Sequence, residues 1–240
     1  MGNKFKMLEQ VGLRCRAMQR DGSGQRKGSG GVVALEGGGP FVGNDELDRQ
    51  LLGGAGIERV VMLPTADAFE QPARLVTAAE AWGDRIGVTV EPLMVMTRPD
   101  ADGSDAAAVV DGVQAVFLAG DSASHLRSVL KDTPLFEALS DLVDRGGVLI
   151  ACGPCAAALC DPMTDQRGGG FAIGLGLVPG LAVIPGCEAW PREQLERAHT
   201  HANTPLVDLP TGSAIVRRGS ATWEVIGDAT VHGELPAGIV

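Results

Sequence analysis

Two cysteines that lie three residues apart follow a short apolar run in the middle of the chain. Residues 148–151 are all apolar, and residues 152–155 read Cys-Gly-Pro-Cys before an alanine-rich stretch. A strand that turns sharply into a helix exposes one side chain above the sheet edge, and the helix N-terminus favours negative charge there. The segment therefore predicts a nucleophile elbow with Cys155 in the nucleophile position.

The same four residues also match the dithiol motif of thioredoxin-like redox proteins. Two thiols at a helix N-terminus can cycle through a disulfide when one of them is acidified. A thioredoxin-like fold has this motif after one or two strands, whereas about five predicted strands precede Cys152 here. A redox pair of Cys152 and Cys155 therefore stays an alternative to the elbow.

Four histidines are the available general bases and metal ligands. His125 lies in a predicted helix and is expected to be structural, and His199 and His201 lie on a polar helix that is expected to face solvent. His232 belongs to the last predicted strand. None of them has the spacing of a metal site with Cys187, so the sequence predicts neither a metal nor a cofactor.

Apolar strands alternate with helical stretches from residue 31 onward. The alternation predicts an α/β fold, with a mostly parallel sheet covered by helices on both faces. In the last third, several short strands with few helices between them predict antiparallel additions at one sheet edge. The predicted strands are 32–35, 59–63, 87–96, 114–118, 148–151, 181–184, 205–209, 214–217, 222–226 and 229–232, and the predicted helices are 45–52, 71–83, 123–131, 135–145 and 192–201.

The charge distribution divides the chain into two unequal parts. The net charge is −10 over 240 residues, which argues against a nucleic-acid partner because phosphate neutralisation needs a basic surface. Residues 1–30 nevertheless carry seven basic and two acidic side chains and end in a run rich in glycine and serine. They predict a flexible basic extension, followed by a single domain over residues 31–240.

The compartment is predicted from what the sequence lacks. No apolar run is long enough to span a bilayer, and no apolar stretch follows the first lysines as in a secretory signal. A cytoplasmic protein with five reduced cysteines and no membrane contact is therefore expected. The sequence leaves open whether the chain is a monomer or a homodimer.

Six runs along the chain resemble one peptidase family in the right order. Together they cover residues 32–232 and resemble the cyanophycinase and dipeptidase E family of serine peptidases, in the class I glutamine amidotransferase-like superfamily. The resemblance implies a flavodoxin-like three-layer α/β/α sandwich and the hydrolysis of small acidic peptides or β-aspartyl linkages. The six runs are residues 33–39, 59–66, 116–121, 125–130, 161–163 and 174–185.

The catalytic positions that the resemblance implies are occupied by other residue types. The family elbow resembles G-x-S-A-G, and Cys155 is assigned to its serine. The family histidine, which follows a Val-Ile-Pro run, falls on Gly186, and the glutamate that orients it falls on Thr211. A general base and its carboxylate partner are both needed to move the nucleophile's proton, so the resemblance implies a degenerate triad.

The oxyanion loop departs from the family in the same way. Its Gly-Gly pair falls on Gly120 and Asp121, and an inward-facing aspartate would repel a developing oxyanion. With Cys155 as the nucleophile, Ala156 is the other predicted oxyanion or binding position.

Three functions remain open from the sequence. The first is a non-catalytic or repurposed relative that binds a small acidic peptide or a protein partner. The second is a hydrolase or acyl transferase that acts on peptide or amide substrates through Cys155, since a thiol is the better unassisted nucleophile. The third is the dithiol redox role.

Overall fold

The computed structural model describes residues 30–236. The predicted basic extension falls on residues 1–30 and lies outside the described residues except for Gly30. The strands are β1 Val32–Glu36, β2 Arg59–Leu63, β3 Thr89–Pro92, β4 Ala115–Leu118, β5 Val148–Cys152, β6 Cys160–Asp161, β7 Met163–Asp165, β8 Gly170–Ala172, β9 Val178–Pro179, β10 Ala182–Pro185, β11 Leu206–Leu209, β12 Ala214–Arg218, β13 Glu224–Ile226 and β14 Thr230–His232. The helices are α1 Asp45–Gly53, α2 Pro72–Ile86, α3 Arg98–Asp102, α4 Ser104–Asp111, α5 Ala123–Leu130, α6 Pro134–Asp144, α7 Pro154–Leu159 and α8 Arg192–His201.

The main sheet has seven strands in the order β13-β12-β1-β5-β4-β2-β3. The strands β1, β5, β4, β2 and β3 run parallel to one another. Next to β1 lies β12, which is antiparallel to β1, and next to β12 lies β13, which is antiparallel to β12. The loops after β1, β4 and β5 therefore meet at the carboxyl edge of the sheet, where open α/β folds bind their ligands. The predicted α/β class with its mostly parallel sheet is confirmed.

Alternate side chains of the central strands belong to two separate apolar cores, one on each face of the sheet. In β4, Val116 and Leu118 point to the face covered by α3 to α7, whereas Phe117 points to the face covered by α1 and α2. Trp82 of α2 is fully buried beside Phe117, with ring centroids 5.0 Å apart. Both sheet faces are thus covered, which fixes the strand register because a slip of one residue would exchange the two faces.

The C-terminal third corrects one expectation. The strands β10, β11 and β14 do not extend the main sheet but form a three-stranded sheet of their own. In it β10 and β11 are parallel, and β14 is antiparallel to β11. This small sheet packs against α8 around Trp190, Ala198 and Leu206. None of the helices between residues 30 and 236 combines the length and apolar character needed to cross a membrane.

Candidate functional site

The chain bends sharply at Gly153, between β5 and α7. Gly153 has φ +58° and ψ −135°, a conformation that residues with a side chain rarely adopt, and Pro154 begins the helix. An elbow nucleophile occupies the strained bend itself, because only there does its side chain stand clear of the sheet. The structure therefore puts Gly153 in the nucleophile position and corrects the assignment of Cys155 by two residues.

Cys155 lies in the first turn of α7 with no exposed surface. Its Sγ lies 3.7 Å from the carbonyl oxygen of Gly120. Burial raises the pKa of the Cys155 thiol far above its usual value, and the nearby carboxylates of Asp121 and Asp67 raise the pKa further. The thiol is therefore held protonated and away from solvent, which is the opposite of an activated nucleophile.

We expect Cys155 to react with iodoacetamide at least about 100-fold more slowly in the folded protein than in urea, because both access and thiolate are lacking. Mass spectrometry of peptides from timed samples measures each cysteine separately. Cys187 is the internal comparison, since it is half-buried and its pKa is raised only to about 11, first by burial and then by Asp208 and Glu188. If Cys155 in the folded protein reacted as fast as a free thiol, the conclusion that it is a buried and protonated thiol would be wrong.

The amide donors of an oxyanion hole are also missing from the bend. The donor normally comes from the residue after the nucleophile, and Pro154 has no N–H. The Ala156 N–H donates to the Gly153 carbonyl at 2.9 Å, so the predicted oxyanion role of Ala156 is corrected as well.

The loop after β4 holds the other predicted oxyanion positions. Gly120 has φ +123° and directs its carbonyl oxygen, an acceptor, at Cys155. Asp121 is exposed and lines the adjacent cleft. Partial desolvation raises the pKa of the Asp121 carboxyl, and the charges of Asp67 and Glu70 raise it further. The loop therefore brings two acceptors to this side of the cleft, the Gly120 carbonyl oxygen and the Asp121 carboxylate, and a carboxylate beside a developing oxyanion would repel it.

The triad positions implied by the resemblance converge on Gly38. A Cβ added to Gly153 would lie 2.8 Å from the Gly38 carbonyl oxygen, and one added to Gly186 would lie 4.0 Å from the Gly38 Cα. A Cβ on Gly38 would lie 2.6 Å from the Thr211 hydroxyl oxygen. The fold thus brings the bend, Gly186 and Thr211 together, but these residues supply neither an imidazole nor a carboxylate.

Glu188 brings a carboxylate to this cluster, and sequence reasoning missed it. Its Oε1 accepts hydrogen bonds from the backbone N–H and the hydroxyl of Thr211. Partial burial disfavours the charged form, but these hydrogen bonds outweigh it and lower the pKa of Glu188. In the sequence, only its position two residues after Gly186, the family histidine position, could have indicated that Glu188 lies near the site.

The structure directs the two thiols of the predicted redox pair toward different loops. Cys152 Sγ lies 3.7 Å from the Gly38 carbonyl oxygen, on the β1 side of β5, whereas Cys155 Sγ faces Gly120 on the β4 side. Both cysteines are free thiols. Burial raises the pKa of Cys152 well above its usual value, with the Glu36 carboxyl adding to the effect. This arrangement speaks against the dithiol role.

Each histidine has a partner other than Cys155. His125 Nε2 lies 2.9 Å from the carbonyl oxygen of Met96, which fits the expected structural role. His201 Nδ1 lies 2.8 Å from the carbonyl oxygen of Arg197 in its own helix. His199 and His232 both contact Asp208, far along the sequence from the bend. All four histidines lie within residues 30–236, and none of these contacts provides a base for the elbow.

A cleft of about 350 Å³ opens beside the bend. Its ionisable lining consists of three carboxylates and one guanidinium, and the guanidinium of Arg167 pairs with Asp165 at 3.4 Å. No ion pair in the described part of the chain involves Glu70 or Asp121. The cleft is therefore negatively charged. It is lined by Glu70, Asp121, Ser122, Ala123, Ser124, Pro154, Ala157, Met163, Thr164, Asp165, Gln166, Arg167, Ala172, Pro185 and Trp190.

Comparison with known proteins confirms the resemblance to the cyanophycinase and peptidase E family. The chain is 29% identical over 167 residues to the cyanophycinases of Trichormus variabilis and of a Nostoc species. The match covers 63% of this chain and 55% of each cyanophycinase, so the chain spans about half the length of these relatives. No family model matches the chain.

Solved structures show the same fold. A peptidase from an acI-B1 actinobacterium superposes with a TM-score of 0.74 at 24% identity, over 88% of this chain and 93% of the other. A Listeria monocytogenes protein provisionally named peptidase E superposes with a TM-score of 0.64 at 16% identity, over 85% of this chain and all of the other. The protein is thus peptidase-like in sequence and architecture.

Proposed function

We propose that this protein is a non-catalytic relative of these peptidases that binds a ligand in the cleft beside the elbow. The observation that carries the proposal is the pair Gly153-Pro154 at the bend. Glycine supplies no nucleophile, and proline supplies no N–H for an oxyanion. The nucleophile and the N–H donor that covalent acyl transfer needs are thus both missing, at adjacent positions. The histidine that would act as the base is missing as well.

The Cys155-dependent hydrolase receives no support from the geometry. A thiol attack needs the sulfur at a surface that substrate can reach, and Cys155 is completely buried in the core formed with Leu118 and Ala151. The carboxylates that raise its pKa also oppose thiolate formation. We therefore retain binding as the proposal and treat turnover as the outcome that would overturn it.

The charge of the cleft favours a ligand that carries a cationic group. Glu70 and Asp121 line it without an ion-pair partner in the described residues, whereas Arg167 is paired with Asp165. A purely acidic peptide, which the resemblance implied, would meet repulsion from these carboxylates. A small peptide with a basic side chain fits the electrostatics better. A protein partner and a homodimer stay predictions, as does a cytoplasmic location.

Two β-aspartyl dipeptides that differ only in the charge of the second side chain test the proposal, since β-aspartyl-lysine is neutral overall and β-aspartyl-glutamate carries a net charge of −2. We expect β-aspartyl-lysine to bind at least about 10-fold more tightly than β-aspartyl-glutamate, as measured by NMR titration, because each charge-assisted contact contributes about 1.5 kcal/mol or more. The Asp121→Asn variant should remove most of this preference. Glu58→Gln is the matched control, since Glu58 is exposed just before β2, at the opposite end of the strand from the cleft.

We expect neither dipeptide to be hydrolysed. Chromatography of timed samples measures whether free aspartate is formed. Turnover that disappears in Cys155→Ala would overturn the non-catalytic proposal. Tighter binding of the glutamate dipeptide would instead contradict only the assignment of ligand charge.

A further inference from the structure

Two histidines and an aspartate that are distant in sequence meet at one face of the small sheet. His199 lies near the end of α8, Asp208 in β11 and His232 at the end of β14. His199 Nε2 lies 2.9 Å from Asp208 Oδ1, and His232 Nε2 lies 3.0 Å from Asp208 Oδ2. Among residues 30–236 this is the one group of three such side chains whose ligand atoms all lie within 4.8 Å of one another.

The strand register explains why these residues meet. Leu206 of β11 pairs with His232 of β14, and Asp208 pairs with Thr230. Side chains two residues apart on a strand point to the same face, so Asp208 and His232 are diagonal neighbours. Leu206 packs with Ala198 of α8, which brings the helix onto that same face and places His199 over the aspartate. Three separate elements thus fix the three side chains.

Within residues 30–236, the carboxylate at the centre of the group has no permanent cationic partner. The Asp208 side chain is only 14% exposed, and its ion-pair contacts in the described residues are the two imidazoles. An imidazole carries positive charge only when it is protonated. A mostly buried carboxylate normally needs a fixed counter-charge, and a divalent cation between these three groups would supply it.

We propose that His199, Asp208 and His232 form a Zn²⁺ site. Two imidazole nitrogens and one carboxylate oxygen are a common ligand set for zinc, with bond lengths of about 2.0–2.2 Å. Tetrahedral coordination at these lengths separates neighbouring ligand atoms by about 3.3 Å, so the observed nitrogen–oxygen distances need to open by only a few tenths of an ångström.

The fourth coordination position faces an open cavity. A pocket of about 410 Å³ is lined by His199, His232 and Glu234, together with the chain from Ala202 to Leu206. Zinc sites with three protein ligands keep a fourth position for water or an exogenous ligand. The site therefore binds one Zn²⁺ ion with an exchangeable ligand that faces this pocket, separately from the peptide cleft.

Isothermal titration of the metal-free full chain with Zn²⁺ tests the site. Cys15 is replaced with serine in every sample, because this thiol lies outside the described residues and could bind zinc itself. We expect one ion per chain, and an affinity that falls at least about 100-fold in each of His199→Asn, Asp208→Asn and His232→Asn. His201→Asn is the matched control, because His201 lies on the same helix and, among the described residues, its ring contacts the Arg197 carbonyl and not Asp208.

Two further readouts make the result independent of folding defects. Co²⁺ should give the intense visible absorption of a tetrahedral site in the parent chain and in His201→Asn, but not in His232→Asn. His232 is an exposed side chain, so this variant should keep the parent circular dichroism spectrum. Zn²⁺ should also raise the Tm of the parent chain, because an ion that binds only the native state stabilises it. Absence of binding, or binding that survives all three ligand substitutions, overturns the proposal.

Discussion

Replacing Gly37 with alanine should lower the Tm by about 6–12 °C. The added Cβ would lie 2.2 Å from the Leu209 carbonyl oxygen and 2.3 Å from the Pro210 carbonyl oxygen. Both contacts are with backbone, and the Gly37 N–H is itself bonded to the Ser213 carbonyl at 2.9 Å, so the loop after β1 cannot move aside alone. Overpacking of this kind costs about 3 kcal/mol, and a domain of this size loses about 2–4 °C per kcal/mol.

Gly39→Ala is the control for this substitution. Apart from its chain neighbours, no heavy atom of the described residues lies within 4 Å of a Cβ built on Gly39, which lies in the same loop. Its stability should stay within about 0.5 kcal/mol of the parent, as is usual for exposed positions without special contacts. Circular dichroism during thermal unfolding measures the Tm of both variants. Equal Tm values would show that the backbone around Gly37 can move away from Leu209 and Pro210 at little cost.

Replacing Glu36 with glutamine should stabilise the protein increasingly as the pH rises. Glu36 and Asp48 are each only 1% exposed, and one carboxylate oxygen of Glu36 has no hydrogen-bond partner in the part of the chain that the structure describes. Burial raises the pKa of Glu36 well above its usual value, and the neighbouring Asp48 raises it further. Between the usual pKa and the raised one, the folded chain therefore retains a proton that the unfolded chain releases.

The sign of the pH dependence follows from this difference. The folded state binds more protons than the unfolded state between the usual glutamate pKa of 4.5 and the raised one. The free energy of unfolding is therefore highest below the usual pKa and falls as the pH rises through this window. Glutamine does not titrate, so Glu36→Gln should be more stable than the parent at pH 8, by about 1–3 kcal/mol, and should differ less at pH 5.

Urea unfolding at a series of pH values between 5 and 9 provides the measurement. Glu80→Gln is the matched control, because Glu80 is exposed on α2 and its removal should leave the pH profile unchanged. A difference between Glu36→Gln and the parent that stays constant across this range would mean that Glu36 is already ionised in the fold.

The parallel core could be predicted from the sequence because its strands are continuous apolar runs. The strand Arg59–Leu63 and the helix Arg192–His201 have the predicted bounds. The helices Arg98–Asp102 and Ser104–Asp111 were not predicted, since the pair Asp102-Gly103 at their junction suggests a loop. The assignment of β10, β11 and β14 to a separate sheet depends on pairing between distant segments, which short apolar runs do not encode.

The candidate site was harder to predict than the fold for two physical reasons. The bend was assigned to Cys155 because a thiol is chemically conspicuous, whereas Gly153 reveals its role only through a positive φ. The cluster around Asp208 joins residues 199, 208 and 232, and no regular spacing connects them. Its existence depends on the register between β11 and β14, which becomes visible only in three dimensions.

Pro154 also bears on what hydrolysis at this bend would require. A serine at position 153 would supply an attacking oxygen only if the Gly38 carbonyl, 2.8 Å from the added Cβ, moved aside, and Pro154 would still offer no N–H to the oxyanion of the transition state. A non-proline residue at 154 would restore the amide with nothing to attack the substrate. Under the proposed function, peptidase chemistry at this bend therefore needs both substitutions together.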